Sequence, residues 1–220
     1  MTASTTSGTI GLLGRFTVNL DLNLVRVDWP ARRLLSLLAI AEHPVRRERL
    51  AGTLWPEEPV AVAGARLRTG LWRLRSQLPA VVDVMGDSIS LSPGWQVDYR
   101  SACDLAERMS KNPATDPLDI PRWVLFTEDL LPDWYEPWLE PAQRAFRETR
   151  IHALEWIARK RLLQGEHWLA IEACGAALTA EPLRQSAHQL MAEIYRAEGN
   201  EILAVRHLED TRRFLEAQLS

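Results

Sequence analysis

The sequence predicts a mainly α-helical protein with a small β component near its N-terminus. Three observations support this fold class. Residues 9–28 are rich in Leu, Val and Ile and alternate in part between apolar and polar side chains, as short strands do. Residues 29–78 contain three helical segments separated by prolines. From Pro141 to the end, helical periodicity is continuous and strand signals are absent.

The first hundred residues predict a small sheet, three helices and a hairpin. The expected elements are two or three antiparallel strands within 9–28, a helix opened by Pro30 and stopped by Pro44, a short helix from near Arg46 to before Pro56, a longer helix from about Val60 to Leu78, and a hairpin with its tip at Met85-Gly86-Asp87-Ser88. A short helix, a tight turn and a longer basic helix, followed by a hairpin, are typical of a winged helix-turn-helix domain.

The C-terminal region contains an internal repeat. Gly165 and Gly199 are 34 residues apart, and so are two alanine pairs, Ala158 with Ala192 and Ala170 with Ala204. Thirty-four residues is the tetratricopeptide (TPR) period, in which small residues lie where two antiparallel helices touch. The helices around 101–110 and 139–152 are expected to complete the stack, because two such repeats bury little surface.

These patterns divide the chain into three parts. Residues 1–9 are expected to be a disordered tail, residues 10–100 a winged helix-turn-helix domain, and residues 101–220 an all-α, TPR-like domain. The second domain is interrupted by the proline-rich connection NPATDPLDIP.

Composition and charge are those of an ordinary soluble protein with two unlike halves. Residues 1–100 carry 12 arginines against nine acidic residues, a net charge of +3, whereas residues 101–220 carry −6. Only the first half is expected to attract a polyanion. We expect a cytoplasmic protein without membrane contact, because the chain has no apolar run of membrane-spanning length and no secretory signal. Cys103 and Cys174 have no partner at metal-ligand spacing and are expected to be buried free thiols.

The helix from Val60 to Leu78 is the candidate DNA-reading element. At 100° per residue one apolar stripe faces the core; it comprises Ala63, Leu67, Gly70, Leu71, Leu74 and Leu78. The opposite side carries Ala65, Thr69, Trp72 and Ser76, flanked by Arg66 and Arg73 on one edge and by Arg68 and Arg75 on the other. Four arginines without an acidic residue between them fit the major groove, where arginine binds guanine or phosphate. The alternative is a solvated amphipathic helix.

Other candidates are weaker. Arg46, Arg47 and Arg49 open the preceding helix, where either phosphate contact or plain solvent exposure explains them. Trp55 is expected in the core rather than at a contact surface. The hairpin tip lacks arginine, and Asp87 would repel phosphate.

No enzyme signature is present. The chain lacks a phosphate-binding glycine loop, a G-x-S-x-G motif and an H-E-x-x-H motif. The five histidines are spread widely, and none pairs with another at ligand spacing, so each is expected to be a surface or packing residue. We expect no metal and no cofactor.

Several segments resemble a known family. FTVNL, PARRLLSLLAI, RRERLAGTLWPEEP and ARLRTGLWRLRSQL resemble the DNA-binding domain of SARP-class actinobacterial activators, which is similar to the OmpR/PhoB winged helix. DLLPDWYEPWLEPAQRAFRETR and the repeats after it resemble the bacterial transcriptional activator domain (BTAD) that accompanies it.

The resemblance implies a transcriptional activator, for instance of a secondary-metabolite gene cluster. It implies that a homodimer or tandem dimer binds direct repeats in double-stranded DNA and recruits RNA polymerase holoenzyme. The turn Trp55-Pro56-Glu57-Glu58-Pro59 would contact polymerase, Thr69, Trp72 and Arg73 would enter the major groove, and Arg68 and Arg75 would face the DNA backbone. The alternative is a TPR-type protein–protein scaffold with a degenerate winged helix. The modest +3 charge and the arginine-free wing slightly favour this alternative, whereas the four-arginine helix argues against it.

Overall fold

The computed structural model describes residues 8–111 and 123–219. They form two compact units. The N-terminal unit comprises the described residues up to Asp104 and also Asp129–Arg144, and the C-terminal unit comprises all the other described residues. The sequence placed every residue after 100 in the helical domain, whereas residues 129–144 group with the N-terminal unit. Of the expected tail, Gly8 and Thr9 lie in the first strand and residues 1–7 lie outside the described residues, as does the connection NPATDPLDIP.

The N-terminal sheet contains the predicted antiparallel strands and one more. β1 (Gly8–Gly11), β2 (Thr17–Leu20) and β3 (Asn23–Leu24) pair in sequence order. A later strand, Trp95–Val97, pairs in parallel with β1, so the sheet order is β3-β2-β1 and then this strand. A Cβ at Gly8 would overlap the ring of Trp95, so this pairing requires glycine there.

Three helices and a hairpin follow β3, as predicted. The helices are α1 (Trp29–Ile40), α2 (Arg47–Leu54) and α3 (Val60–Gln77). Asp28 caps α1, its carboxylate accepting a hydrogen bond from the Ala31 amide at 3.0 Å, and Pro30 lies in the first turn where its missing N–H costs nothing. The apolar faces of the three helices form one leucine-rich core, with Leu34, Leu35, Leu38, Leu50, Leu54, Leu67, Leu74 and Leu78 buried.

The wing is a small three-stranded sheet, in which a tight hairpin of two strands pairs with a third short strand. β4 (Val45–Arg46) pairs with β6 (Ser88–Leu91), which pairs with β5 (Val82–Met85). The strand that joins the first sheet is β7 (Trp95–Val97). Met85 opposes Ser88, so the tip is the expected two-residue turn, and Gly86 supplies the positive φ of +60° that the turn needs. Arg46 ends β4 and is the N-cap residue of α2, so the helix begins near Arg46 as predicted.

Residues 129–144 form a strap on the N-terminal unit, and this part of the fold was not predicted. The Leu131 amide donates to the Leu12 carbonyl at 2.9 Å, and Trp134 stacks on Phe16 with ring centroids 5.8 Å apart. At the end of the strap, the Gln143 amide donates to the carbonyls of Leu130, Leu131 and Trp134. Asp129–Arg144 is called the strap below.

The remaining helices are α4 (Asp98–Lys111), α5 (Glu140–Leu163), α6 (His167–Ala180), α7 (Gln185–Ala197) and α8 (Glu201–Leu219), with a 3-10 turn at Trp123–Phe126. The structure confirms the 34-residue repeat. Ala158, Ala170, Ala192 and Ala204 are all completely buried. Gly165 and Gly199 occupy the turns with φ of +75° and +89°. Both turns use the left-handed conformation that ends helices and favours glycine.

Two of the histidines lie close together in space, a contact that the sequence did not predict. His188 Nδ1 and His207 Nε2 lie 3.1 Å apart although they are 19 residues apart in the chain. Burial, and the neighbouring His188, lower the pKa of His207. In residues 8–111 and 123–219 no group of three or more His, Cys, Asp or Glu side chains is arranged to hold a metal ion.

Both cysteines are free thiols, but only one is fully buried. Cys174 is buried in α6, and its burial raises the pKa to about 12. Cys103 is only half-buried, which corrects the expectation for that residue. Burial raises its pKa as well.

Replacing Ala170 with Leu should destabilise the repeat. The residue has no exposed surface, so the three additional heavy atoms of leucine overpack the helix contact, which should lower the free energy of unfolding by roughly 1–3 kcal/mol. Gly175→Ala in the same helix is the matched control. A Cβ at Gly175 meets nothing within 4 Å, so that change should stabilise the helix by roughly 0.5–1 kcal/mol. Urea unfolding of the two variants measures both effects, and equal stability of Ala170→Leu and wild type would rule out the repeat contact.

Candidate nucleic-acid interface

The apolar stripe of α3 lies in the core, as predicted. Ala63, Leu67, Gly70, Leu71, Leu74 and the capping residue Leu78 are buried. The leucines pack against α1 and α2, and Gly70 lies beside Leu34, where a Cβ would make an ordinary van der Waals contact of 3.8 Å with Leu34 Cδ2. This packing fixes which side of α3 faces outward.

The outward side of α3 carries every arginine of the helix. Ala65, Arg66, Arg68, Thr69, Trp72, Arg73, Arg75 and Ser76 are all exposed. Trp72 is 70% exposed, so it contributes little to the core. A large aromatic ring in water, between arginines, is an arrangement that contact with a ligand would explain and that folding does not require.

Two of the four arginines are held by acidic side chains of the same unit. Arg66 Nη2 lies 2.7 Å from Glu58 Oε1, and Arg73 Nη1 lies 3.9 Å from Asp28 Oδ2. Exposed pairs of this kind contribute about 0–1 kcal/mol, so a phosphate or guanine can replace either carboxylate. For Arg68 and Arg75, the described residues provide no acidic partner within 4 Å, and both side chains are exposed.

The hydroxyl groups of α3 are turned toward its own backbone. Thr69 Oγ1 donates to the Ala65 carbonyl at 3.2 Å, and Ser76 Oγ donates to the Arg73 carbonyl at 2.7 Å. Each oxygen keeps an acceptor site toward solvent. Thr69 can therefore accept a hydrogen bond from a base amino group without leaving its place in the helix.

Arg46 and Arg47 lie where the wing meets α2. Arg46 is exposed and Arg47 half-buried, and the Arg47 amide donates to the Asp87 carbonyl at 2.9 Å. The wing tip is thereby tied to the start of α2. The tip carries exposed Met85 and Asp87 and no cation, so its electrostatic contribution to binding a polyanion is unfavourable.

The turn between α2 and α3 is largely exposed. Pro56, Glu57 and Pro59 face solvent, while Glu58 makes the ion pair with Arg66. Trp55 is half-buried instead of lying in the core as expected. Its ring borders two surface grooves, of about 400 and about 380 Å³, that flank α3.

Three comparisons with known proteins each find a similarity to transcriptional regulators or to a fold of the same kind. Residues 124–220 match the bacterial transcriptional activator domain family. Regulatory protein AfsR of Streptomyces coelicolor is 30% identical over 227 residues, which cover 95% of this chain but only 22% of AfsR. The fold resembles that of Mycobacterium tuberculosis EmbR, solved in complex with a low affinity phosphopeptide, with a TM-score of 0.73 and 19% identity over 97% of this chain and 61% of EmbR. At that identity the second likeness shows the fold alone.

A winged helix with an arginine-rich outward helix, joined to a bacterial transcriptional activator domain, defines a class of transcriptional regulators. Residues 124–220 belong to that domain family, and the chain as a whole is similar to AfsR, a much longer regulatory protein. No helix in the described residues is both long and apolar enough to span a bilayer.

Proposed function

We propose that this protein activates transcription by binding direct repeats in promoter DNA through α3 and recruiting RNA polymerase holoenzyme. The observation that carries the proposal is the outward face of α3, with four arginines and an exposed Trp72. An α-helix fits the major groove, where arginine binds the O6 and N7 atoms of guanine with two hydrogen bonds. The resemblance to SARP-class activators implies that the target would be a secondary-metabolite gene cluster.

The side chains of the interface divide into two roles. Thr69 and Trp72 lie on the side of α3 opposite the core and Arg73 lies at the edge of that side, and these three residues would read bases. Arg68 and Arg75, free of acidic partners in the described residues, would bind phosphates, together with Arg66, Arg46 and Arg47. Phosphate contacts supply affinity and base contacts supply specificity.

The exposed turn Trp55–Pro59 is the proposed polymerase contact. It lies directly before α3, and Glu57 and Pro56 project from it into solvent. Short acidic turns beside a DNA-bound helix can reach a protein bound to the adjacent DNA. We propose that one protomer contacts the holoenzyme through this turn while α3 stays in the groove.

Arg73→Ala should reduce specificity, and Arg68→Ala should reduce affinity for all sequences. Loss of a base contact costs roughly 1–3 kcal/mol on the specific site and leaves random DNA binding unchanged. Loss of a phosphate contact weakens both and lowers the salt dependence by about one ion. Arg206→Ala, an exposed arginine of α8, is the control and should change neither. Equal weakening on both DNAs by Arg73→Ala would make Arg73 a phosphate contact.

Binding should depend on the rotational phase of two half-sites. A weak wing leaves one copy with few phosphate contacts, so two copies on direct repeats gain from effective concentration. The half-sites should lie about one turn apart, roughly 10–11 bp, so that both α3 helices meet the same face of the duplex. A footprint on sites moved apart by about five base pairs should show lost cooperativity. Unchanged cooperativity after that half-turn would contradict tandem binding.

A further inference from the structure

A half-buried arginine, Arg33, connects the strap to the end of α2. Arg33 Nη2 donates to the Leu54 carbonyl at 2.8 Å and to Glu136 Oε2 at 2.7 Å, and Arg33 Nε lies 2.7 Å from Glu136 Oε1. The two side chains are only 18% and 15% exposed. The Glu136 carboxylate and the Leu54 carbonyl therefore compensate the guanidinium for the hydration that it loses by partial burial.

The carbonyl that Arg33 binds lies at the start of the proposed polymerase contact. Leu54 is the last residue of α2, and Trp55 is the first residue of the turn. The final carbonyls of a helix have no partner within it and carry partial negative charge, so a cation there fixes the helix end. Inside the turn, the Trp55 amide donates to Ala51 O at 2.9 Å and the Glu58 amide donates to Trp55 O at 3.2 Å.

Glu136 is held in place from the strap side. Trp138 Nε1 donates to Glu136 Oε2 at 2.9 Å. Two residues before Glu136, the buried Trp134 ring packs on Phe16 and on Trp29, with the Trp29 centroid 4.5 Å away. Glu136 is thus fixed by contacts that do not involve the turn, and Arg33 transmits its position to the helix end.

We propose that Glu136 is a positioning residue for the turn Trp55–Pro59: through Arg33 it holds the end of α2 and so sets the conformation in which the turn is presented. The role of Glu136 in activation rests on the proposed contact between that turn and polymerase. Without the carboxylate, the Arg33 guanidinium has no charge partner and turns toward solvent, which releases the Leu54 carbonyl. The turn then samples more conformations, although no residue that faces DNA has changed.

Amide hydrogen exchange of the intact protein tests the positioning role directly. In Glu136→Gln the Trp55 and Glu58 amides should exchange at least about five-fold faster, while the Ile10 amide in the β1–β2 ladder keeps its rate. Arg33→Lys keeps the charge but loses the planar fork, including the Nε that pairs with Glu136 Oε1, so it should give the same pattern. Glu140→Gln, which removes an exposed ion pair to Arg144 on the same strap, should leave the turn unchanged. Wild-type exchange at both amides in Glu136→Gln and Arg33→Lys would overturn the proposal.

Transcription in vitro separates this proposal from the function on which it rests. Glu136→Gln should lower activated transcription about five-fold or more while changing the Kd for DNA less than two-fold. Glu57→Lys, a change on the turn itself, should lower transcription in the same way. If Glu57→Lys lowers transcription and Glu136→Gln does not, the positioning role in activation is wrong. If Glu57→Lys has no effect, the polymerase contact is wrong, and the exchange result alone decides whether Glu136 positions the turn.

Discussion

Burial of the leucine stripe of α3 is the constraint on which the interface depends. Each leucine that leaves water contributes about 1.5–3 kcal/mol, whereas each exposed arginine–carboxylate pair on the opposite side contributes about 0–1 kcal/mol. Leu67, Leu71 and Leu74 therefore decide the rotation of the helix about its axis. The four arginines face outward as a consequence. The ion pairs that two of them make with Asp28 and Glu58 are weak enough for a competing anion to replace the carboxylate.

Small residues at regular spacing determine how the helices of the C-terminal unit pack. Alanines recur every 34 residues where helices touch, and glycines recur in the turns with left-handed backbone. Polar groups complete the packing: buried Glu155 accepts a hydrogen bond from Ser186 and pairs with Arg184, and buried Arg161 pairs with Glu166. Replacing one member of such a pair leaves the other charged and desolvated, so these positions are more sensitive than their polarity suggests.

Local patterns predicted most of the elements, because helix periodicity, prolines and turn glycines act within a few residues. The buried stripe of α3 and the two-residue hairpin tip are examples. What the sequence did not reveal depends on residues distant in the chain. Trp95 pairs beside Gly8 across 87 residues, Glu136 reaches Arg33 across 103, and His188 meets His207 only because α7 and α8 pack together. Trp55 was expected in the core because apolar neighbours surround it in sequence, but two grooves leave its ring half-exposed.

The most direct test of DNA binding through α3 is the salt dependence of the affinity of the intact protein for DNA. Affinity would be measured between about 50 and 200 mM salt, on DNA from upstream of the protein's own gene cluster and on random DNA of equal length. If α3 binds DNA as proposed, log K falls linearly with log salt concentration, by about 0.9 per phosphate contact, and the specific site binds about 10³-fold tighter or more. Equal affinity for both DNAs, or no salt-dependent binding, would contradict it and favour a protein–protein scaffold.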